Sequence, residues 1–308
     1  MLTMFGLPKP FRGHIGVIQR NAITSWSLLR PKPEIILFGD EEGTGEIAQE
    51  LGLRHVPPVR RNQHGTPFLN DMFDTAQTLA AHPTLAYVNP DILLFDDFME
   101  AVQRVKSWRE RFLIVGQRTN LDVSQLLHFE SPEWYERLRD IARHTGVVAS
   151  PSYIDYFVFA RGLYSPMPAF VIGRTAYDNW MLWKARSLRV PVVNTSAVVL
   201  AIHQNHDYYH LHPQGRAGLW QGEEALANQK LAGGRRAYGL DHATHSLTAK
   251  GIRRNFGHLV GDAKVRFEQY FLVPVLALTA PIRHPLGLRR RSIAGLMARI
   301  GLTKGRSL

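Results

Sequence analysis

The chain has 308 residues, 45 % of them hydrophobic, which suffices for one large domain or two small ones with a sizeable core. It contains no cysteine, which excludes disulfides and thiolate metal sites and fits a reducing compartment. The net charge of +11 is uneven: residues 250–308 carry 12 Lys/Arg against 2 acidic residues, residues 1–249 carry 25 against 24. A near-neutral body is therefore expected to carry a basic tail. Met1–Leu7 is apolar but too short, and lacks the charged leader, of a secretory signal. The apolar run Phe271–Pro281 is shorter than a membrane span and holds Pro274.

In chain order, Leu2–Leu7 reads as a strand, followed by Pro8-Lys9-Pro10-Phe11. Ile15, Ile18, Ala22, Trp26 and Leu29 recur at three- and four-residue steps, the face of a helix that Pro31 and Pro33 stop. Glu34–Phe38 is a buried strand by composition and ends in Gly39-Asp40. A short helix (Gly45–Leu51) and strand (Leu53–Val56) follow. Thr66-Pro67 then opens a helix, with Thr66 as its N-cap and Leu69, Met72, Phe73, Ala76 and Leu79 as its inner face.

The stretch Leu85–Phe95 places Asn89-Pro90-Asp91 between two apolar runs. Pro90 interrupts the ladder, so Asp91 is presented at a strand end, where open α/β sheets place their ligands. An ordinary turn accounts for the same three residues. Asp96-Asp97 starts a helix through Val105, and Phe112–Gly116 is a further strand. Beyond it come a polar helix (Pro132–His144), a strand at Ile154–Phe159, and a helix headed by Tyr177-Asp178-Asn179-Trp180 and running through Ser187. Strand-like Val190–Val193 and Ser196–Ile202 lead into His203-Gln204-Asn205-His206 and on to His210. Alternating strands and helices predict a mostly parallel sheet with helices on both faces. Gly233-Gly234-Arg235-Arg236 marks the expected boundary between a domain at 1–235 and a tail at 236–308.

Asp40, Asp91, Asp178 and the pair His203/His206 all fall at ends of expected strands or at a helix start, so one sheet edge can gather them. Carboxylates suit Mg²⁺ or Mn²⁺, and imidazole is an acceptable further ligand for Mn²⁺. Each residue alone also has a plain structural reading: Asp40 a turn residue, Asp178 an N-cap, His203 a core histidine. No Gly-x-Gly-x-x-Gly follows the first strand, and neither a Gly-Lys-Ser/Thr phosphate loop nor Gly-x-Ser-x-Gly occurs, which disfavours dinucleotide, NTPase and serine-hydrolase chemistry.

Taken together, Pro8-Lys9-Pro10-Phe11, Phe38-Gly39-Asp40, Tyr87-Val88-Asn89-Pro90-Asp91, Gly173-Arg174 with Tyr177–Trp180, and His203–His206 resemble a GT-A-type, nucleotide-sugar-dependent glycosyltransferase over roughly residues 1–210. The resemblance implies a nucleotide-sugar donor and an enzyme that moves its sugar to a saccharide or lipid-linked acceptor. It implies Mn²⁺ or Mg²⁺ held by Asp91 with His203 and His206, and Asn89 stands where the family's first carboxylate would be. It implies donor contacts from Pro8, Lys9, Asp40, Arg61, Asn62 and Asn89, a catalytic role for Asp178, and acceptor contacts from Asp155, Tyr156, Asn179 and Trp180. Rival readings are a sugar nucleotidyltransferase, whose Gly-rich basic loop Phe5-Gly6-Leu7-Pro8-Lys9 does not resemble, and a non-catalytic glycan- or membrane-binding protein on the same scaffold.

In the tail, Phe267, Tyr270, Phe271, Leu272, Val275 and Leu278 are flanked by Arg254, Lys264, Arg266, Arg283 and Arg289–Arg291. Apolar residues rimmed by Arg and Lys suit an anionic membrane surface better than nucleic acid, for which no motif is present. The expected location is cytoplasmic, peripheral to the inner membrane, in surface polysaccharide or glycolipid assembly.

Overall fold

The computed structural model describes residues 1–131, 133–206, 218–233 and 238–267. The elements, in order, are β1 (Thr3–Gly6), α1 (Gly13–Leu28), β2 (Glu34–Phe38), α2 (Thr44–Leu51), β3 (Arg54–Val56), α3 (Leu69–Leu79), β4 (Thr84–Val88), β5 (Ile92–Leu93) and α4 (Asp96–Trp108). There follow β6 (Leu113–Val115), β7 (Arg118–Leu121), α5 (Trp134–Thr145), β8 (Val147–Val148), β9 (Tyr156–Ala160), α6 (Tyr177–Ser187), β10 (Val192–Asn194) and β11 (Ala201–Gln204). The remainder are α7 (Gly218–Gln221), α8 (Glu223–Ala232), β12 (His245–Thr248), β13 (Gly251–Arg254) and α9 (Gly257–Phe267).

Nine strands form one sheet in the order β13-β12-β10-β6-β9-β4-β1-β2-β3. Its pairings are parallel except those of β9 with β4 and β6 and of β12 with β13, as the alternation of strands and helices predicts. Because side chains alternate across a strand, the sheet builds a core on each face. Phe5, Leu85, Tyr87, Phe157 and Phe159 pack on one face with α3 and α6. Met4, Ala86, Val88 and Val158 pack on the other with α1, α2 and α4. On the first face Phe5, Phe73 and Tyr87 lie with ring centroids 5.0–5.7 Å apart. Of the helical face read from the sequence, Ala22, Trp26 and Leu29 are buried in the second core, while Ile15 and Ile18 lie toward the strand ends.

A smaller sheet, β5-β11-β7-β8, has its own core with α5 around Leu93, Phe95, Leu121 and Leu138. Irregular patterning from 116 onward reflects this second layer: short strands change sheet, and their residues serve two cores. Ser196–Leu200, expected as strand, is a turn. Asn194 Oδ1 accepts from the Ser196 N–H and hydroxyl, and Thr195 O accepts from the amides of Val198 and Val199. Thr66 is likewise no N-cap: α3 begins at Leu69, after an antiparallel bridge from Phe68 to Val171.

The chain divides into two compact units, Met1–Asn255 and Phe256 onward. Beyond the expected boundary at 235, β12 and β13 extend the main sheet of the first unit. Of the second unit, α9 is described. Asp207–His210, Gly234–Arg236 and the tail from 268 lie outside the described residues. Among the described residues, no helix is long and apolar enough to cross a membrane.

Candidate functional site

The parallel strands β1, β2, β4, β6 and β10 end at the same edge of the main sheet, and a cleft of about 240 Å³ opens there. Asn89-Pro90-Asp91 forms a turn closed by the Ile92 amide on Asn89 O at 3.1 Å. The turn and strand-end readings are both right: the turn is the device that presents Asp91. Gly6 makes room for it, because a Cβ there would sit 2.8 Å from Val88 O and 3.5 Å from Pro90 Cγ. Trp26 Nε1 donates to Ile92 O at 2.8 Å and Gln204 Nε2 donates to Asp91 O at 3.2 Å, so α1 and β11 hold the turn from two sides.

β11 pairs with β5 in a register that sets His203 opposite Ile92. His203 and His206 thereby meet Asp91: Asp91 Oδ2 is 3.2 Å from His206 Nε2 and 3.7 Å from His203 Nε2. The three residues bring one ligand atom each within 4.8 Å of the others. Burial opposes ionisation of Asp91, but the hydrogen bond from His206 and the charges of His203, His206 and Lys9 prevail and hold the carboxyl well below the usual range. His203 is only 5 % exposed, and burial lowers its pKa, with Asp91 opposing, which keeps a lone pair available. Asp91 Oδ1 and His203 Nδ1 are buried with no hydrogen-bond partner among the described residues. One carboxylate and two imidazoles, with unsatisfied polar atoms, fit a divalent cation with borderline-nitrogen tolerance such as Mn²⁺ better than Mg²⁺.

Lys9, Arg118 and Arg174 also line the cleft. Gln19 on α1 is 3 % exposed and pins Lys9: its Oε1 accepts from Lys9 N at 2.6 Å and its Nε2 donates to Lys9 O at 2.8 Å. Arg118 donates to Asp155 Oδ2 at 2.9 Å and lies over the Tyr153 ring, 4.9 Å from its centroid. Arg174 pairs with Glu224 of α8, which accepts in addition from Asn62 Nδ2 at 2.6 Å.

Asp178 faces the cleft from the first turn of α6. It is not the N-cap; Ala176 holds that place, in a left-handed conformation (φ 86°) that L-residues other than Gly, Asn and Asp rarely adopt. Burial, with the nearby Asp155 charge, pushes the Asp178 carboxyl up to about 6 against partial support from backbone amides. A carboxyl poised there accepts a proton readily near neutral pH.

The other expected site residues divide. Asn89 and Asp155 line the cleft but are bonded to each other. Pro8 is buried between the cleft-lining Leu7 and Lys9. Asp40 lies outside the cleft wall, exposed, in an ion pair with Arg61 at 2.6 Å; Arg61 also holds Glu41 at 2.9 Å. Asn62 organises its own loop, its Oδ1 accepting from the amides of His64 and Thr66 at 2.9 Å. Tyr156 is a core residue: it is fully buried, its hydroxyl is 2.9 Å from Thr195 Oγ1, and a Cβ on Gly116 would collide with it. Trp180 packs among Tyr164, Phe170 and Trp183, and Asn179 donates to Tyr238 O at 2.6 Å. Neither faces the cleft. Arg118, Arg174 and Gln19 were not expected as site residues. Arg118 carried a readable signal, a charge just after the glycine that ends an apolar strand; Gln19 carried none.

No protein-family model matches the sequence, and no curated protein matches it. Solved structures do resemble the fold. They include the mannosyltransferase PcManGT from Pyrobaculum calidifontis in complex with GDP-Man and Mn²⁺ (14 % identity, TM-score 0.44, covering 98 % of this chain and 81 % of that one). Glucosyl-3-phosphoglycerate synthase from M. tuberculosis is similar at 13 % identity and TM-score 0.42, over 77 % and 81 % of the two chains. TarS residues 1–349 from S. aureus are similar at 9 % identity and TM-score 0.39, over 67 % of this chain and 59 % of that one. The chain thus spans less than two thirds of that TarS structure.

Proposed function

We propose that this chain is a GT-A-type glycosyltransferase, moving a sugar from a nucleoside-diphosphate donor to a saccharide or glycolipid acceptor with Mn²⁺ or Mg²⁺ held by Asp91, His203 and His206. The observation that carries the reading is the meeting of Asp91, His203 and His206 at the sheet edge, in a cleft that also holds Lys9, Arg118, Arg174 and Asp178. A divalent cation bound there supplies positive charge that stabilises the departing diphosphate. Lys9, fixed by Gln19, adds charge beside Asp91 and orients the donor's phosphates. Ile15 and Ile18 of α1 line the same cleft and shield it from water. Asp178 takes the proton of the acceptor hydroxyl as its oxygen attacks the anomeric carbon, a role that requires inversion of configuration. We place the reaction in surface polysaccharide or glycolipid assembly, at the cytoplasmic side of a membrane.

Calorimetric titration of the full chain with UDP and GDP, with and without Mn²⁺, tests this. Metal-dependent binding that disappears in Asp91→Asn, with an unchanged melting profile, is the expected result. Binding of neither nucleotide under any metal condition removes the glycosyltransferase reading.

A further inference from the structure

Helix α8 is locked against a segment that lines the cleft. Asn228, 1 % exposed, accepts from the Val171 amide at 3.0 Å and donates to Val171 O at 2.9 Å, and Glu224 pairs with Arg174. Gln229, the next residue of α8, donates from Nε2 to Trp220 O at 2.7 Å, which ties α7 to the same frame. Trp220 thereby joins the cleft lining that Ile172, Gly173, Arg174, Thr175 and Asp178 also form.

The indole has no packing duty there. It is 46 % exposed, and no ring of the described residues stacks on it. The other two aromatic side chains of the cleft are committed: Tyr177 is buried in the first core, and Arg118 lies over the Tyr153 ring. One exposed apolar side chain is ordinary on a surface. One that lines the cleft holding Asp91, His203 and His206, on a backbone fixed from α8, is placed for a ligand.

The charges of the cleft narrow the ligand. Lys9 stabilises the Asp91 carboxylate, Arg118 is bonded to Asp155, and Arg174 to Glu224. Among the described residues of the cleft, every Lys and Arg thus already faces a carboxylate, while Asp178 faces none of them. A divalent cation would in turn be matched by the donor's diphosphate. An acidic sugar would bring a second carboxylate toward Asp178 with no cation left for it.

We propose that Trp220 is the platform on which the acceptor stacks, and that the acceptor's sugar is a neutral pyranose. The C–H face of such a ring is apolar and faintly positive, which suits the negative face of an indole, and its hydroxyls project from the rim where polar groups can meet them. The inference rests on the transferase reading and deepens it: Trp220 selects the acceptor, and Asp178 takes its proton.

The test compares the full chain with Trp220→Ala and Trp220→Phe. Calorimetry, with Mn²⁺ and UDP or GDP present, measures binding of the methyl glycosides of β-D-glucose, β-D-galactose and α-D-mannose, of methyl β-D-glucuronide, and of octyl β-D-glucoside below micelle formation. At least one neutral methyl glycoside is expected to bind, about tenfold more weakly to Trp220→Ala and nearly unchanged to Trp220→Phe, since a ring face in contact is what the alanine removes. The glucuronide should bind more weakly than the glucoside. Nucleotide binding should be the same in all three chains, which also reports that they fold. A gain from the octyl chain that survives in Trp220→Ala marks the sugar as lipid-linked and no gain marks it as a saccharide end; both agree with the stacking. Equal glycoside binding by Trp220→Ala overturns the proposal, as does tighter binding of the glucuronide. Binding of none of the neutral glycosides while UDP or GDP still binds overturns it too, and leaves the transferase reading in place. Glycoside binding that depends on Trp220 in a chain that binds neither nucleotide strikes the transferase reading alone.

Discussion

Asn89 Nδ2 donates to Asp155 Oδ1 at 2.8 Å, while Asp155 Oδ2 accepts from Arg118 at 2.9 Å. The amide at position 89 therefore stands beside a carboxylate already present, that of Asp155 just before β9. Arg118 and Asp155 are each only about a tenth exposed at the side chain, so the pair depends on its hydrogen bonds to offset desolvation. Position 89 contributes a donor to that pair and has no vacancy for a second charge.

Replacing Asn89 by Asp, which would complete the pattern of two carboxylates, is accordingly expected to damage the site. Two carboxylates at that separation cannot both ionise cheaply. Melting should fall and Mn²⁺ affinity should not rise. The exchange Asn89→Asp/Asp155→Asn restores a donor–acceptor pair and should recover most of the stability. Tighter Mn²⁺ binding in Asn89→Asp with unchanged melting would refute this account.

Much of the site was legible because it sits where apolar runs stop. Asp91, His203 and Asp178 are polar groups next to strands or helix starts too apolar to be exposed, and the fold gathers them at one edge. Tyr156, Asn179 and Trp180 looked identical in sequence to cleft residues, since a strand or helix has two sides and the sequence does not label them. Tyr156 follows Asp155 directly, so when one faces the cleft the other enters the core. The second sheet was not legible at all. Its strands are two to four residues long and are specified by pairing, as in the register of His203 with Ile92.

The Asp178 carboxyl, raised to about 6, makes a two-sided pH prediction. If it accepts the acceptor's proton, turnover should rise with pH through about 6 and level off above it, and Asp178→Asn should lower kcat by about 10²–10⁴-fold with little change in donor affinity. Stability should move the other way. The folded chain holds this proton more tightly than the unfolded chain, so the stabilisation is full below about pH 4 and is lost as pH rises through 6. Asp178→Asn should thus melt higher than the unmodified chain at pH 8, by on the order of 1 kcal/mol given its partial access to solvent, and lose that advantage near pH 4. A variant less stable at pH 8 with normal turnover would make Asp178 a structural residue.

The last prediction concerns how α8 reaches the cleft. Glu224, at the start of that helix, accepts from Asn62 Nδ2 and pairs with Arg174, whose side chain lines the cleft wall. Burial works against its charge, but hydrogen bonds from Thr66, Asn62 and Arg174 win and lower its pKa. Its side chain and that of Arg174 are 12 % and 17 % exposed. Removing one partner of so enclosed a pair leaves the other poorly compensated, which costs about 3 kcal/mol. Glu224→Ala should therefore lower melting and free Arg174 to swing, raising the donor KM while kcat changes little, because Asp178 and Asp91 stay in place. Glu224→Gln keeps an acceptor for Asn62 and should fall between the two. Because the lowered carboxyl gives stability that is lost as pH falls through its folded pKa, the difference between Glu224→Gln and the unmodified chain should shrink toward acid pH. A Glu224→Ala variant with unchanged donor KM would show that Arg174 is held by other contacts and that α8 has no part in shaping the cleft.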